Sequence, residues 1–112
     1  MVGFFPARVS RTWPLIRAAG AFCVNILASE QEHLAQHFAR GVPPIALWES
    51  VALRPSPGPP QLEGAAAWLR GHVAGEHLAG DHTFFVAEVD AAEPGPPGTR
   101  PLVFHGQAYL TL

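Results

Sequence analysis

The chain has 112 residues, which is enough for one domain over residues 1–112 and too short for two independent cores. Apolar residues make up 48% and charged residues 14%, so a disordered chain is excluded and an oligomer is expected. Seven arginines, no lysine and nine acidic residues give a net charge of −2 without a basic tract, so nucleic acid is not expected as a partner.

The cysteine content and the hydropathy pattern predict a cytoplasmic protein. The single Cys23 lies in "AFCVNIL", where a buried thiol is expected and neither a disulfide framework nor a zinc site can be assembled. No window approaches the about 20 apolar residues that a membrane-spanning helix requires, and no charged leader precedes the first apolar group. No membrane partner is expected.

The first predicted elements are a strand, a helix and a second strand. Residues 2–5 form the first strand, and Thr12 is expected to cap a short helix over about residues 13–19. Gly20 fits the left-handed position that follows a helix. The aromatic and β-branched residues of "AFCVNIL" then predict a strand that is buried on both faces.

A capping box opens the second predicted helix. Ser29 and Glu32 have the spacing at which the hydroxyl and the carboxylate bond each other's backbone amides. The helix is expected to run through Arg40 and to stop at Gly41, with Leu34 and Phe38 one turn apart as its buried stripe.

The rest of the chain predicts a loop and then mainly strands. Residues 42–62 are rich in proline and form a long loop; a strand to about Arg70 and a second extended stretch that turns at Gly75 follow. In the strand over residues 82–92, one alternating face is apolar throughout and the other becomes acidic at its end. The chain closes as a hairpin around Gly106.

Several common kinds of active site are excluded by residue pattern. His33 and His37 lie four residues apart on one helix face, but the glutamate of the zinc protease motif is missing and no third ligand is indicated, so no metal is predicted. No serine stands in a nucleophile elbow, and no glycine cluster links a strand to a helix as in a phosphate-binding loop.

Ser10-Arg11-Thr12 is the first candidate site. Hydroxyls, free backbone amides and one guanidinium converge there at a helix start, as an anionic phosphate group would require. A plain helix cap beside an exposed arginine would give the same residues, and the residue types alone favour that structural role.

Gly80-Asp81-His82 is the second candidate site, because a turn with an aspartate and a histidine directly precedes a strand. The imidazole of His82 can hydrogen-bond or stack beside a nicotinamide or a flavin edge, while a purely structural turn is an equal alternative. Asn25 is polar within an apolar strand; its amide needs either a backbone partner or a ligand.

Four stretches taken in order resemble the flavin reductase family, which has the FMN-binding split-barrel fold. They are "VGFFPARVSRTWPLIRAAGAFCVNILASEQEHLAQHFARG", "LEGAAAWLRG", "AGDHTFFVAEVDAAE" and "RPLVFHGQAYLTL". Their order and spacing are more specific than any one of them, and the resemblance runs nearly end to end.

The resemblance implies a mainly β protein, a split β-barrel that forms a homodimer and binds FMN or FAD together with NAD(P)H. It implies an NAD(P)H-dependent flavin reductase that supplies reduced flavin to a monooxygenase. Gly80, Asp81 and His82 would contact the nicotinamide nucleotide, with His82 as the candidate catalytic residue. Ser10, Arg11 and Thr12, together with Asn25, would help to hold the flavin.

The chain also departs from the family pattern. It resembles the C-terminal two-thirds of family members, so a barrel that is incomplete at the N-terminus is expected. The final hairpin reads "GQAY" where an arginine before the tyrosine is common, which weakens any role carried over to Tyr109. The alternative function is a non-catalytic flavin-binding or dimerisation module.

Overall fold

The computed structural model describes residues 1–40 and 48–111. Its elements are β1 (Val2–Phe4), α1 (Trp13–Ala19), β2 (Ala21–Ile26), a 3-10 helix (Ser29–Gln31), α2 (Glu32–Ala39), β3 (Ala67–Ala79), β4 (His82–Pro94), β5 (Leu102–His105) and β6 (Ala108–Thr111). The predicted helix over residues 13–19 is confirmed, and Gly20 has the predicted left-handed conformation after it. No helix in the described part of the chain is long and apolar enough to cross a membrane.

The strands form two antiparallel arrangements. A four-stranded sheet has the order β1-β4-β3-β2, and β5 and β6 form a two-stranded hairpin. In the first pairing, Val2 lies opposite Ala87 and Phe4 opposite Phe85. In the hairpin, Phe104 lies opposite Tyr109, and the turn at Gly106 and Gln107 confirms the predicted hairpin around Gly106.

The described residues group into two compact units. The first comprises residues 1–24 and 69–92, and the second comprises the described residues within 25–68 and 93–112. The prediction of a single domain over residues 1–112 stays a prediction.

Aromatic side chains form the core of the first unit. Phe85 packs between Trp13 and Phe4, with ring centroids 3.7 and 5.0 Å away. Phe22 meets the edge of Phe4 at 5.6 Å. The predicted alternation along β4 is confirmed, since Thr83, Phe85 and Ala87 are buried and the residues between them are partly exposed.

The second unit is built around Trp68 and a buried glutamine. The indole Nε1–H of Trp68 donates to the carbonyl of Leu62 at 2.9 Å, and the guanidinium of Arg54 lies 3.8 Å from the Trp68 ring centroid. Gln31 accepts a bond from the amide of Ala28 and donates to the carbonyl of Glu63, each at 2.8 Å. These bonds fix the start of the 3-10 helix.

Two predictions about the middle of the chain are wrong. The capping box does not form between Ser29 and Glu32, because the side chain of Gln31 bonds the Ala28 amide one residue earlier. The predicted turn at Gly75 is also absent, since β3 is continuous through Gly71 and Gly75 and the chain reverses at Gly80 instead.

Two burial predictions are only partly met. β2 is half-buried in its middle and exposed at both ends, because it is the last strand in the order of its sheet. Leu34 and Phe38 of α2 are half-buried, and no residue of that helix is fully buried. Gly41, where this helix was expected to stop, and residues 42–47 of the predicted loop lie outside the described residues.

Candidate functional site

An aromatic cavity of about 340 Å³ lies beside the start of α1 in the first unit. Its lining residues come from β1, the connection after it, the first turns of α1 and β4: Phe4, Phe5, Pro6, Ser10, Thr12, Trp13, Ile16 and Phe85. Ligand cavities in proteins begin at about 300 Å³ and are mostly apolar with a few polar groups. Ser10 and Thr12 supply the hydroxyl groups at this cavity.

Trp13 gives the cavity both a stacking surface and a polar group. The residue is 4% exposed, and its ring is nearly parallel to that of Phe85, with an interplanar angle of 16°. Its Nε1–H is buried and has no hydrogen-bond partner among the described residues. A buried indole N–H usually has a partner, so a ligand acceptor atom in the cavity would satisfy an otherwise unpaired donor.

The polar connection before α1 is ordered by Ser10 rather than by Thr12. The amide of Trp13 donates to the Ser10 Oγ at 3.3 Å. Thr12 occupies the N-cap position with helical backbone angles and makes no side-chain cap. Thr12 therefore has the predicted N-cap position but not a side-chain capping bond, and its exposed side chain is available at the cavity.

Gly80, Asp81 and His82 form the reversal between β3 and β4. Gly80 has a φ of 63°, a left-handed conformation that favours glycine, and nothing lies within 4 Å of where its Cβ would be. The Asp81 side chain is 95% exposed, and its Oδ1 lies 2.8 Å from the Nδ1 of His82. The hydrogen bond from His82, with the charge of that ring, lowers the pKa of Asp81.

The Asp81 contact determines how His82 can act. A carboxylate oxygen only accepts hydrogen bonds, so the Nδ1 of His82 carries the proton. In the neutral ring, the Nε2 is then a hydrogen-bond acceptor. The His82 side chain is 44% exposed.

The structure brings the two candidate sites close in the backbone but does not place them in one cavity. The connection after β1 pairs with the start of β4. The Thr83 amide donates to the Pro6 carbonyl, and Ala7 and His82 form an isolated antiparallel β-bridge. However, Phe85 lines the aromatic cavity, and His82 points to the opposite face of β4 by strand alternation. His82 is absent from the lining of that cavity.

Two other predicted site residues lie elsewhere. Arg11 is exposed and lines neither the aromatic cavity nor the groove described below. Asn25 is half-buried in the second unit, where its Nδ2 donates to the Pro60 carbonyl at 3.3 Å and its Oδ1 accepts from the Leu62 amide at 2.8 Å. The sequence left open whether the Asn25 amide bonds backbone groups or a ligand, and in the structure it bonds backbone groups.

The described residues contain no cluster of metal-ligating side chains. No group of three or more histidine, cysteine, aspartate or glutamate side chains is close enough there to hold an ion. His33 is exposed on α2, and the ring of His37 meets the edge of Phe38 at 5.8 Å.

Two residues of this region, Trp13 and Arg8, are not among the site residues predicted from the sequence. Trp13 was assigned only to the helix, although an indole at the first helical position next to a polar connection was a visible signal. Arg8 lines a second, more open groove of about 560 Å³ with Ala7, Val9 and Asp81. Only the pairing of distant segments brings Arg8 to Asp81.

Comparisons with known proteins give one consistent family. A family model described as flavin reductase like domain matches residues 1–112. The reductase subunit HsaB of a flavin-dependent monooxygenase from Mycobacterium tuberculosis is 35% identical over 114 residues, which cover 100% of this chain and 60% of HsaB. An NADH:FMN oxidoreductase from Rhodococcus qingshengii is 32% identical over 112 residues, which cover 97% of this chain and 58% of that protein.

A solved structure supports the same assignment. Nitrilotriacetate monooxygenase component B from Mycobacterium thermoresistibile has a TM-score of 0.89 and 34% identity, over 98% of this chain and 62% of that chain. This chain belongs to the flavin reductase like domain family, and the predicted mainly β fold of the split-barrel type is confirmed. The chain spans about three fifths of the length of the relatives it matches.

Proposed function

We propose that this chain is an NAD(P)H-dependent flavin reductase, which binds FMN or FAD and promotes hydride transfer from a nicotinamide nucleotide to the flavin. The observation that carries the proposal is the aromatic cavity with the unpaired Trp13 donor, in a chain of the flavin reductase family. The name of the Rhodococcus relative, an NADH:FMN oxidoreductase, supports this pair of cofactors.

The residues of the cavity fit a planar ring that carries polar atoms. Trp13 and the phenylalanines supply flat apolar walls, and the Trp13 Nε1–H would donate to a ring acceptor. The hydroxyls of Ser10 and Thr12 would bond the polar edge of the flavin, and Arg11 its phosphate. When bound, the flavin supplies the hydride-accepting ring, so the protein has to stack, orient and exclude water.

The turn at Gly80 would position the nicotinamide nucleotide. When the ring is neutral, Asp81 holds His82 with its Nε2 as a hydrogen-bond acceptor, which suits the amide N–H of a nicotinamide carboxamide. His82 would thus orient the hydride donor and needs no change of its own protonation state. Replacement of His82 should therefore slow turnover without altering the fold.

We propose a homodimer as the active form, since His82 and the aromatic cavity face opposite sides of β4 in one chain. A second copy would bring its own His82 to the cavity. Exposed large side chains, including Phe5 at 62%, Leu78 at 76% and Phe104 at 62%, support contact with another chain.

A monooxygenase as the recipient of reduced flavin is supported by the names of the relatives. The cytoplasmic location stays a prediction.

Oxidation of NADH by the purified chain with added FMN tests the enzyme proposal. We expect oxidation that depends on FMN. In His82→Ala the rate should fall by up to about tenfold, as for the loss of a hydrogen bond to a bound substrate. His33→Ala is the control, because His33 is exposed on α2. Equal rates for His82→Ala and the parent would contradict the role of His82.

The position of His82 on the face of β4 opposite to Phe85, outside the lining of the aromatic cavity, favours one second candidate, a flavin-binding or dimerisation module without turnover. This candidate predicts that FMN binds, or that the chain dimerises, while NADH is not oxidised at any flavin concentration. The same assay with a parallel measurement of mass in solution separates the two candidates.

A further inference from the structure

Trp13 is the first member of a series of contacts that ends in an ion pair. Arg17 follows it by one helical turn on α1, and its guanidinium carbon lies over the indole ring, 5.4 Å from the ring centroid. The Nη2 of Arg17 donates to the Oε1 of Glu76 on β3 at 2.6 Å. This ion pair joins residues that are 59 positions apart in the sequence, so Glu76 fixes the guanidinium beside the ring.

Stability alone is a weak reason for this ion pair. The side chains of Arg17 and Glu76 are 51% and 35% exposed, and an ion pair that is accessible to water contributes little to folding. A cation over an indole face, however, draws electron density from the ring and makes the N–H a stronger hydrogen-bond donor. The charge of Arg17 therefore acts on the Nε1–H of Trp13, which is buried and has no partner among the described residues.

A second tryptophan has the same kinds of neighbours but a different fate for its N–H. The guanidinium of Arg54 lies 3.8 Å from the Trp68 ring centroid and pairs with Glu93 at 2.5 Å. The Nε1–H of Trp68 donates to the Leu62 carbonyl at 2.9 Å, so this donor is satisfied within the protein. Trp13 instead lines the aromatic cavity, and its donor has no acceptor among the described residues. Of these two tryptophans, Trp13 is thus the one whose donor remains for a bound molecule.

We propose that Arg17, held by Glu76, positions and polarises the Trp13 N–H for a hydrogen bond to an acceptor atom of a flavin ring. The inference rests on the proposed function, because it takes the occupant of the aromatic cavity to be a flavin. It assigns a role to two residues that do not line the cavity themselves. Both are positioning residues, because they act through Trp13 and not on the reacting atoms.

Lumiflavin, which has a methyl group in place of the ribityl phosphate of FMN, tests this role without any attraction between Arg17 and a phosphate. Its affinity for the purified full chain is measured by flavin fluorescence. Arg17→Gln should weaken binding by about two- to fivefold, as for the loss of one cation–π contact. Glu76→Gln should weaken it in the same direction, and Arg17→Lys should recover part of the loss because its ammonium keeps the charge. Equal affinity of Arg17→Gln and the parent would overturn the proposal.

Two controls separate this role from a general effect on structure. Arg54→Gln removes the matched cation from Trp68, whose N–H already bonds Leu62, and should leave the lumiflavin affinity unchanged. Arg17→Gln in a Trp13→Phe background should cause no further loss, because the N–H on which Arg17 acts is gone. A loss in Arg54→Gln as large as in Arg17→Gln, or an undiminished effect of Arg17→Gln in the Trp13→Phe background, would contradict the proposal.

The indole N–H resonance of Trp13 reports on the same contact in the flavin-free chain. The peak is assigned by its absence in Trp13→Phe, and Arg17→Gln and Glu76→Gln should both shift it in the proton–nitrogen correlation spectrum. If these shifts occur and the parent binds no lumiflavin, the flavin assignment of the cavity fails and the effect of Arg17 on Trp13 stands. If the parent binds lumiflavin and Arg17→Gln changes neither the resonance nor the affinity, the cavity assignment stands and the role of Arg17 fails.

Discussion

The indole ring of Trp13 lies 3.7 Å from the phenyl ring of Phe85, centroid to centroid, and nearly parallel to it. This pair joins the start of α1 to β4, and both rings line the aromatic cavity. The same contact therefore contributes to the core of the first unit and to the proposed flavin site.

The two roles of Trp13 can be separated by two substitutions. Trp13→Ala should lower the free energy of unfolding by about 3–5 kcal/mol, because a large buried ring is deleted. Trp13→Phe keeps an aromatic ring and deletes an N–H that has no partner, so it should cost about 1–2 kcal/mol. Urea unfolding of both variants measures the difference. A cost for Trp13→Phe as large as that for Trp13→Ala would show that the indole N–H has a structural partner.

Two glycines of β3 should respond differently to alanine. A Cβ at Gly71 would lie 2.5 Å from the backbone oxygen of Glu88, so Gly71→Ala should destabilise the protein by about 1–3 kcal/mol. Gly75→Ala is the control on the same strand, because nothing lies within 4 Å of its Cβ position. It should stay within about 0.5 kcal/mol of the parent or be more stable. Comparable losses for both variants would mean that the close approach of the Glu88 oxygen is not what requires glycine at position 71.

His72 should make stability depend on pH. Its Nδ1 lies 2.9 Å from Asp90, and its Nε2 lies 3.7 Å from Glu88. The hydrogen bond and the charge of Asp90, with a smaller effect of Glu88, raise the pKa of His72 above its usual 6.5. A raised pKa gives stability that is fully present below the unfolded-state pKa and is lost as pH rises through the folded-state pKa.

Thermal unfolding from about pH 5.5 to about pH 8.5 tests this dependence. The advantage of the parent over His72→Asn should be largest at the acid end and should shrink as the pH rises. His33→Asn is the control, because His33 has no ion pair in the described part of the chain. An advantage that grows toward alkaline pH would have the wrong sign for this interaction.

Asn25 should behave as a structural residue of the second unit. Asn25→Leu leaves the Leu62 amide and the Pro60 carbonyl without their side-chain partner and should cost about 1–3 kcal/mol in unfolding free energy. Asn25→Asp keeps the acceptor for the Leu62 amide and should cost less. Chemical unfolding measures both. A stable Asn25→Leu that no longer binds FMN would instead assign the amide to the ligand.

Local sequence signals predicted the elements whose causes are themselves local. The bounds of helix α1 were predictable because Thr12 and Pro14 mark its start and Gly20 takes the left-handed conformation after its end. The alternation along β4 follows from the two faces of a strand. The resemblance of several short motifs in a fixed order predicted the family and the fold type, which residue periodicity alone would not have given.

The wrong predictions and the missed Arg8 have tertiary causes. Gly71 reads as a strand break, but the strand continues because glycine allows the close approach of Glu88. Ser29 and Glu32 have the spacing of a capping box, but Gln31 replaces it because its amide also reaches the Glu63 carbonyl. Arg8 reaches Gly80 across 72 residues, a distance over which no spacing rule applies.

Titration of FMN with the purified chain, followed by flavin fluorescence, tests the proposed cofactor cavity most directly. We expect FMN to bind to the parent and Trp13→Phe to weaken its affinity about fivefold through the lost N–H bond. Trp48→Phe, at a residue that does not line the cavity, should leave the affinity unchanged. A parent that does not bind FMN, or equal affinity in Trp13→Phe and the parent, would contradict the proposed cofactor cavity.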